Sequence, residues 1–256
     1  RRQSCPMKTP AAKPRRLEDI LYSQGFGTRR VCAGLIQQGH VTVNGQPELD
    51  AGALYVPEGL AFTVQGEAWT FHELAYVLLH KPAGTECSQK PSAWPSIYTL
   101  LPAPLRQRPQ KGAVLGVQAV GRLDQDTTGL LLLTDDGAFI HKMSSPKHHV
   151  PKVYEVTAKH PVDARQVERL LAGVVLEDDP RPVKAAACEI TGECTLRLTL
   201  TQGKYHQVKR MVAAVGNRVE GLHRSAIGDY ALPADLAPGQ WRWLSAEDLV
   251  RVQKKA

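Results

Sequence analysis

Hydrophobic positions follow two regimes along the chain. From residue 15 to 66 they first keep helical spacing: Leu17, Ile20 and Leu21 share one face of a helix stopped by Gly25. Val31, Cys32, Leu35 and Ile36 mark a second helix, capped by Thr28 and closed by Gly39. Val41-Thr42-Val43 then meets Asn44-Gly45, a pair that tolerates the positive φ of a type I′ turn, so a hairpin follows. The pattern predicts a small helix-helix-hairpin unit ending near Gln65, and the polar stretch Gly66 to Glu73 is the expected boundary.

From residue 74 to 256 strand patterns dominate, beginning with the apolar run Ala75 to Leu79. Further strands are expected at Val117 to Val120, Leu130 to Leu133, Val153 to Thr157, Val183 to Ile190, Thr195 to Leu200 and Arg218 to Leu222. Three helices interrupt them. The first follows Thr134, with Asp135 and Asp136 in its first turn. The second starts at Asp163 with Gln166 as capping-box partner and ends at Gly173. The third carries Val208, Met211, Val212 and Val215 and stops at Gly216. Strand runs with isolated helices and no βαβ alternation indicate an α+β domain with a mostly antiparallel sheet. Residues 91–112 hold five prolines and read as a loop-rich insertion with at most one helical turn.

Composition narrows the partners. Thirty-two Lys and Arg against 25 Asp and Glu give a formal charge of +7, which suits a polyanion. Residues 1–14 are rich in proline and basic residues without apolar periodicity and are expected to form a disordered basic leader. The five cysteines are scattered without a C-x-x-C pair, which argues against a disulfide framework or a zinc ribbon. No apolar run reaches the roughly 20 residues of a membrane span, and no apolar stretch follows Arg1-Arg2-Gln3-Ser4 to make a signal peptide, so a cytoplasmic protein without membrane attachment is expected. Nothing in the chain demands an oligomer, and a monomer is the expectation.

Three stretches carry chemistry. Gly121-Arg122-Leu123-Asp124-Gln125-Asp126-Thr127-Thr128-Gly129, followed by Leu130 to Leu133, sets a carboxylate between two strands, where it is either held towards a cleft or simply part of a hydrogen-bonded turn. In Pro151-Lys152-Val153-Tyr154, alternation puts Lys152 and Tyr154 on one face, able to meet one nucleotide; the plainer alternative is a tyrosine packed on the sheet. Lys204, His206, Lys209 and Arg210 cluster about the start of the third helix, a plausible anion site, and Leu222-His223-Arg224 adds further basic character. A solvated face explains any one stretch; three together favour nucleic acid.

These residues resemble a known family. Gly121 to Leu133 is similar to the signature of pseudouridine synthases. Gly203 to Met211, Val215-Gly216-Asn217 and Leu222-His223-Arg224 look like the branch that modifies ribosomal RNA. Ser145-Pro146-Lys147-His148-His149 and Ala234 to Gly239 are closest to the enzymes acting on small-subunit 16S RNA, and Arg16 to Gln46 resembles an S4-type RNA-binding module. The likeness spans about residues 15–248. It implies an S4-type domain at 15–66, a catalytic domain at 74–256, and an isomerase that detaches uracil from its ribose, turns it and rejoins it through carbon.

The resemblance assigns Asp124 as the catalytic carboxylate, Tyr154 as the ring that stacks on a flipped uracil, and Lys209 as the basic partner of Asp124, with Arg210 as second candidate. Leu222 would line the pocket floor. Arg122, Lys152, His206 and Arg224 would line the pocket or meet RNA, with Arg29 and Arg30 as phosphate contacts of the S4-type module. The reaction is internal to one nucleotide and implies no metal or other cofactor. The partner is ribosomal RNA, 16S preferred, naked or in an assembling small-subunit particle. The carboxylate could attack the sugar, attack the base or remove a sugar proton.

Two departures from the family pattern stand out: acidic Asp19 where Lys is usual, and His80 in place of Asn in His80-Lys81-Pro82. The alternatives are a 23S RNA synthase, a non-catalytic RNA-binding or assembly factor, and a glycoside or nucleoside hydrolase using Asp124 and Asp126.

Overall fold

The computed structural model describes residues 12–112 and 114–256; most of the expected basic leader lies outside them. The chain forms two compact units, one of residues up to Leu74 with Pro102–Gly116, the other of Ala75–Leu101 with Val117–Ala256.

The first unit opens with β1 (Arg15–Arg16), α1 (Leu17–Ser23), α2 (Arg29–Gln37), β2 (Val41–Val43), β3 (Gln46–Pro47), β4 (Leu54–Tyr55), β5 (Ala61–Val64) and β6 (Glu67–Thr70). Thr28 caps α2 by accepting from the Val31 amide, and the β2–β3 turn holds Asn44 and Gly45 at φ of 51° and 80°, both as expected. Leu17, Ile20, Leu21, Cys32 and Ile36 pack against Val41, Phe62 and Val64 as one core. The expected polar boundary is instead structured: Gln65 and Gly66 form the turn between β5 and β6, so Glu67 to Thr70 belongs to the sheet.

The insertion corrects the expected division in a second way. Residues 102–116, expected in the catalytic domain, return to the first unit as a loop around α3 (Ala103–Gln107). Arg108 anchors the loop: it is 1% exposed, and its guanidinium donates to the carbonyl oxygens of His72 (2.7 Å) and Glu73 (3.1 Å). With the 3-10 turn Ile97–Leu100, the 91–112 stretch holds more helix than its prolines suggested.

The second unit contains β7 (Tyr76–Lys81), β8 (Gln118–Ala119), β9 (Thr128–Thr134), α4 (Gly137–Ser144), β10 (Lys152–Ala158), α5 (Ala164–Ala172), β11 (Val174–Leu176), β12 (Asp179–Val183), β13 (Ala187–Gly192), β14 (Thr195–Leu200), α6 (Gln207–Ala214), β15 (Val219–Ile227), β16 (Tyr230–Ala231), β17 (Trp241–Trp243) and α7 (Ala246–Val252). The main sheet runs β13-β14-β10-β15-β9-β7-β17, with β8 on β9 and β16 on β15. Among the described residues its strands pair antiparallel except β9 with β15, so the fold is α+β with a mostly antiparallel sheet.

Leu130 to Leu133 of β9, a strand flanked by β15 and β7, are all at most 1% exposed, as in a strand buried on both faces. Leu130 and Leu132 join Phe139, Met143, Val150, Ile227 and Val252 in one core. Each fully buried leucine contributes about 2 kcal/mol through lost contact with water.

Several expected elements shift. Asp136 is the N-cap of α4 rather than a first-turn residue, and Asp135 accepts from the Ala75 amide. Asp163 caps α5, but Gln166 donates to Pro161 O instead of closing a capping box. The strand expected at 183–190 is broken into β12, which pairs with β11 as a separate hairpin, and β13 in the main sheet. The strand expected at Arg218 to Leu222 runs on to Ile227 as β15 and so also carries His223 and Arg224. No helix among the described residues is long and apolar enough to cross a membrane.

Candidate active site

Asp124 lies in the turn that leads into β9, and backbone contacts hold that turn in place. Thr127 N donates to Asp124 O at 3.0 Å and Gly84 N to Gln125 O at 2.8 Å. Beneath it, the fully buried Lys81 ammonium donates to the carbonyl oxygens of Pro82 (3.0 Å), Gln125 (3.2 Å) and Thr127 (2.8 Å). Burial pushes the Lys81 pKa down, opposed by Cys87, Asp126 and Asp124. A cation saturated by three carbonyls fixes the loop without neutralising the carboxylate at its tip. Gly129 begins the close approach of β9 to β15: its φ is 116°, and a Cβ there would lie 2.2 Å from Arg224 O.

The carboxylate is gripped from α6. Lys209 Nζ lies 3.0 Å from Asp124 Oδ2 and 2.8 Å from Asp126 Oδ1, while His206 Nε2 lies 3.1 Å from Asp124 Oδ1. Burial opposes both charges of the Lys209–Asp126 pair, but the contact wins: Asp126 is held below the usual carboxylate range, and Lys209, bonded to both carboxylates, above the usual lysine value. His206 takes the left-handed backbone conformation (φ 46°), which costs a non-glycine residue about 1 kcal/mol or more. Its ring stacks on Tyr205 at 3.8 Å.

Arg210, the second candidate for partner of Asp124, points elsewhere: it donates to Tyr205 O at 2.8 Å and pairs with Asp178 in the β11–β12 hairpin. One residue of helical rotation separates the two basic side chains, so only Lys209 reaches the carboxylate.

Two adjoining cavities open around Tyr154. The smaller, about 70 Å³, is lined by Asp124, Tyr154, His206, Lys209 and Leu222 among others. The larger, about 650 Å³, is lined by Arg122, Lys152, Tyr154, Lys204 and Arg224, with an apolar floor from Val120, Leu132, Val150 and Ile227. Arg122, Tyr154, Gln202, Gly203 and Lys204 line both. Tyr154 sits on β10 beside a register irregularity in the pairing with β15, a device that re-aims a side chain. Lys152, two residues away, shares its cavity, as the strand period implies.

Arg224 proves more deeply placed than a surface contact. It is 2% exposed and its Nε donates to Leu130 O at 2.8 Å. Its position on β15, beside Gly129, explains this depth.

In the first unit, Arg29 stacks over Tyr22 at 4.1 Å and pairs with Asp19 at 3.2 Å, so the acidic departure at Asp19 is matched within the module. Arg30 is exposed. In the second unit His80 Nδ1 hydrogen-bonds Leu236 O at 2.8 Å, and its ring meets that of His223 edge to face. Sequence reasoning missed the clamp made by Lys81 and the contact of His206 with Asp124. The run of basic residues before α6 signalled that cations gather there but not which one turns towards the turn before β9.

The chain is similar to known proteins along most of its length. Residues 75–214 match the family model described as RNA pseudouridylate synthase, and residues 15–55 match the S4 domain. The chain is 39% identical to ribosomal small subunit pseudouridine synthase A of Pasteurella multocida, over 93% of this chain and 100% of the relative. It is 39% identical to the protein of that name from Escherichia coli K12, over 91% and 98%. A crystal structure of a pseudouridylate synthase superposes with a TM-score of 0.64 at 35% identity, covering 93% of this chain and 99% of the other.

Proposed function

Since the chain belongs to the RNA pseudouridylate synthase family, we propose that it converts one uridine of small-subunit ribosomal RNA to pseudouridine, with Asp124 as the catalytic carboxylate. The observation that carries the assignment of Asp124 is its position in the cavity it shares with Tyr154, gripped by Lys209 and His206 at 3.0 and 3.1 Å.

The glycosidic bond of a stacked nucleotide is out of reach, so the uridine must leave its helix, and Tyr154 replaces the lost stacking, worth about 1–3 kcal/mol. Leu222, with Leu200 and Val208, gives this cavity apolar lining beside its polar groups. Lys209 ion-pairs with the carboxylate and Lys81 holds its loop at a fixed height.

Arg30, with Arg29, meets phosphates in the S4-type module. The enzyme acts as a monomer in the cytoplasm, on naked RNA or an assembling small-subunit particle. The names of the relatives support the small subunit as the target.

The test is to incubate the protein with 16S and 23S transcripts and with a partly assembled small-subunit particle, then map pseudouridines by carbodiimide labelling and primer extension. A new pseudouridine confined to 16S RNA, absent with Asp124→Asn while RNA affinity stays within about twofold, is the expected outcome. Modification of 23S RNA alone overturns the substrate, and full turnover by Asp124→Asn overturns the role of the carboxylate.

A further inference from the structure

The larger cavity holds a charge imbalance that catalysis at Asp124 does not use. Its lining includes five cations, Arg122, Lys152, Arg181, Lys204 and Arg224, and no carboxylate. Asp179 balances two of them, at 3.1 Å from Arg181 and 2.9 Å from Lys204. Lys152 and Arg224 have no such partner: among the described residues neither is in an ion pair, and the buried Nη2 of Arg224 lacks any hydrogen-bond acceptor. Burial, helped by repulsion from Arg224, pushes the Lys152 ammonium down to about 8. A buried arginine beside a partly buried lysine, with no anion between them, is unfavourable in the free protein. An anionic ligand would relieve that cost.

The cavity adjoins the catalytic one through Tyr154, Arg122 and Lys204, so its occupant is continuous with whatever lies against Asp124. We propose that this cavity is a second nucleotide subsite, in which Lys152, backed by Arg224, receives the phosphate of the nucleotide next to the target uridine. The apolar floor accepts that nucleotide's base without a sequence-specific hydrogen bond. The inference deepens the proposed function and rests on it for the placement of the target uridine at Asp124.

Calorimetric titration of the full-length protein with uridine 5′-monophosphate and with its dinucleotide pUpU tests the subsite. Wild-type protein should bind pUpU about tenfold more tightly than the mononucleotide, the increment expected of one charge-assisted contact. Lys152→Gln should abolish that gain while leaving mononucleotide affinity within about twofold, and Lys152→Arg, which keeps the charge, should restore most of it. Asp124→Asn should keep the gain.

Equal affinity for the two ligands in wild type, or no binding of either at millimolar concentration, overturns the proposal. So does a gain that survives Lys152→Gln, or an equal loss for both ligands, which would place Lys152 on the target's own phosphate. Pseudouridine formation on 16S RNA reports the underlying reading separately. A dinucleotide gain without pseudouridine defeats only that reading, and pseudouridine without the gain defeats only the subsite.

Discussion

Arg108 in the first unit and Arg224 in the second are both almost wholly buried, yet their surroundings are opposite. Arg108 donates to two backbone carbonyls and lies 3.4 Å from Gln24 Oε1, so backbone and amide acceptors satisfy it. Arg224 donates Nε to Leu130 O, has no acceptor for Nη2 among the described residues, and has the cation Lys152 for a neighbour. The contrast repeats within the second unit, where Lys81 has three carbonyl partners and Lys152 none among the described residues. A buried cation whose donors are filled holds a loop in place. One left short of acceptors marks where an anion belongs.

The comparison breaks first on stability. Arg108→Met and Lys81→Met each strip a charge from a set of buried carbonyls and should each cost about 3 kcal/mol in urea denaturation. Only Lys81→Met should also slow turnover at saturating RNA, because only Lys81 holds the turn of Asp124; unchanged midpoints in both variants would show that these cations are not structural. Next, Lys209→Met should lower kcat about 100-fold while Arg210→Met changes it less than about threefold. Comparable losses would mean that the pairing of Asp124 with Lys209 is not what matters.

Lys152 sharpens the contrast through pH. Its free-state value near 8 lies below the ordinary 10.5, so the ammonium is charged below about pH 8 and neutral above it. The groups facing it are Arg224 of β15, Arg122 of the turn before β9, Arg181 of β12 and Lys204 before α6, with Tyr154 on its own strand. A phosphate prefers the charged form, so RNA affinity should fall as pH rises from 8 to 9 by at most about tenfold, and Lys152→Gln should flatten this dependence.

Folding responds with the opposite sign. Between about 8 and 10.5 the unfolded chain carries more protons on this lysine than the folded one, so its contribution to stability rises with pH. Affinity and stability that move together across this range would contradict the assignment. The smallest effect belongs to exposed Arg30: Arg30→Ala should weaken RNA binding a few-fold and reduce the salt slope by about one.

Local signals were legible where one element settles its own geometry. Thr28, Asn44-Gly45 and Asp163 announce a cap, a turn and a cap, and each does so in the structure. The strand around Lys152 and Tyr154 was legible for the same reason, since alternation puts both on one face. What escaped depends on contacts distant in sequence. Arg108 looks like any loop arginine until His72 and Glu73 are beside it, and nothing local distinguishes Lys209 from Arg210 as the partner of Asp124. The positive φ of His206, which accompanies its contact with Asp124, has no glycine or asparagine to advertise it. Val183 to Ile190 has a continuous strand composition, but Ala185 is buried where the chain passes from hairpin to sheet.

The return of residues 102–116 to the first unit also sets an order of events at the ribosome. A nascent chain released only as far as Leu74 lacks α3 and Arg108, so the acceptors at Gln24, His72 and Glu73 still face water. Roughly 40 further residues must emerge before the N-terminal unit can close, a delay of about 2 to 8 s at ordinary translation speeds. By then β7, the first strand of the catalytic sheet, is already outside, waiting for a partner in β9 that has not yet emerged.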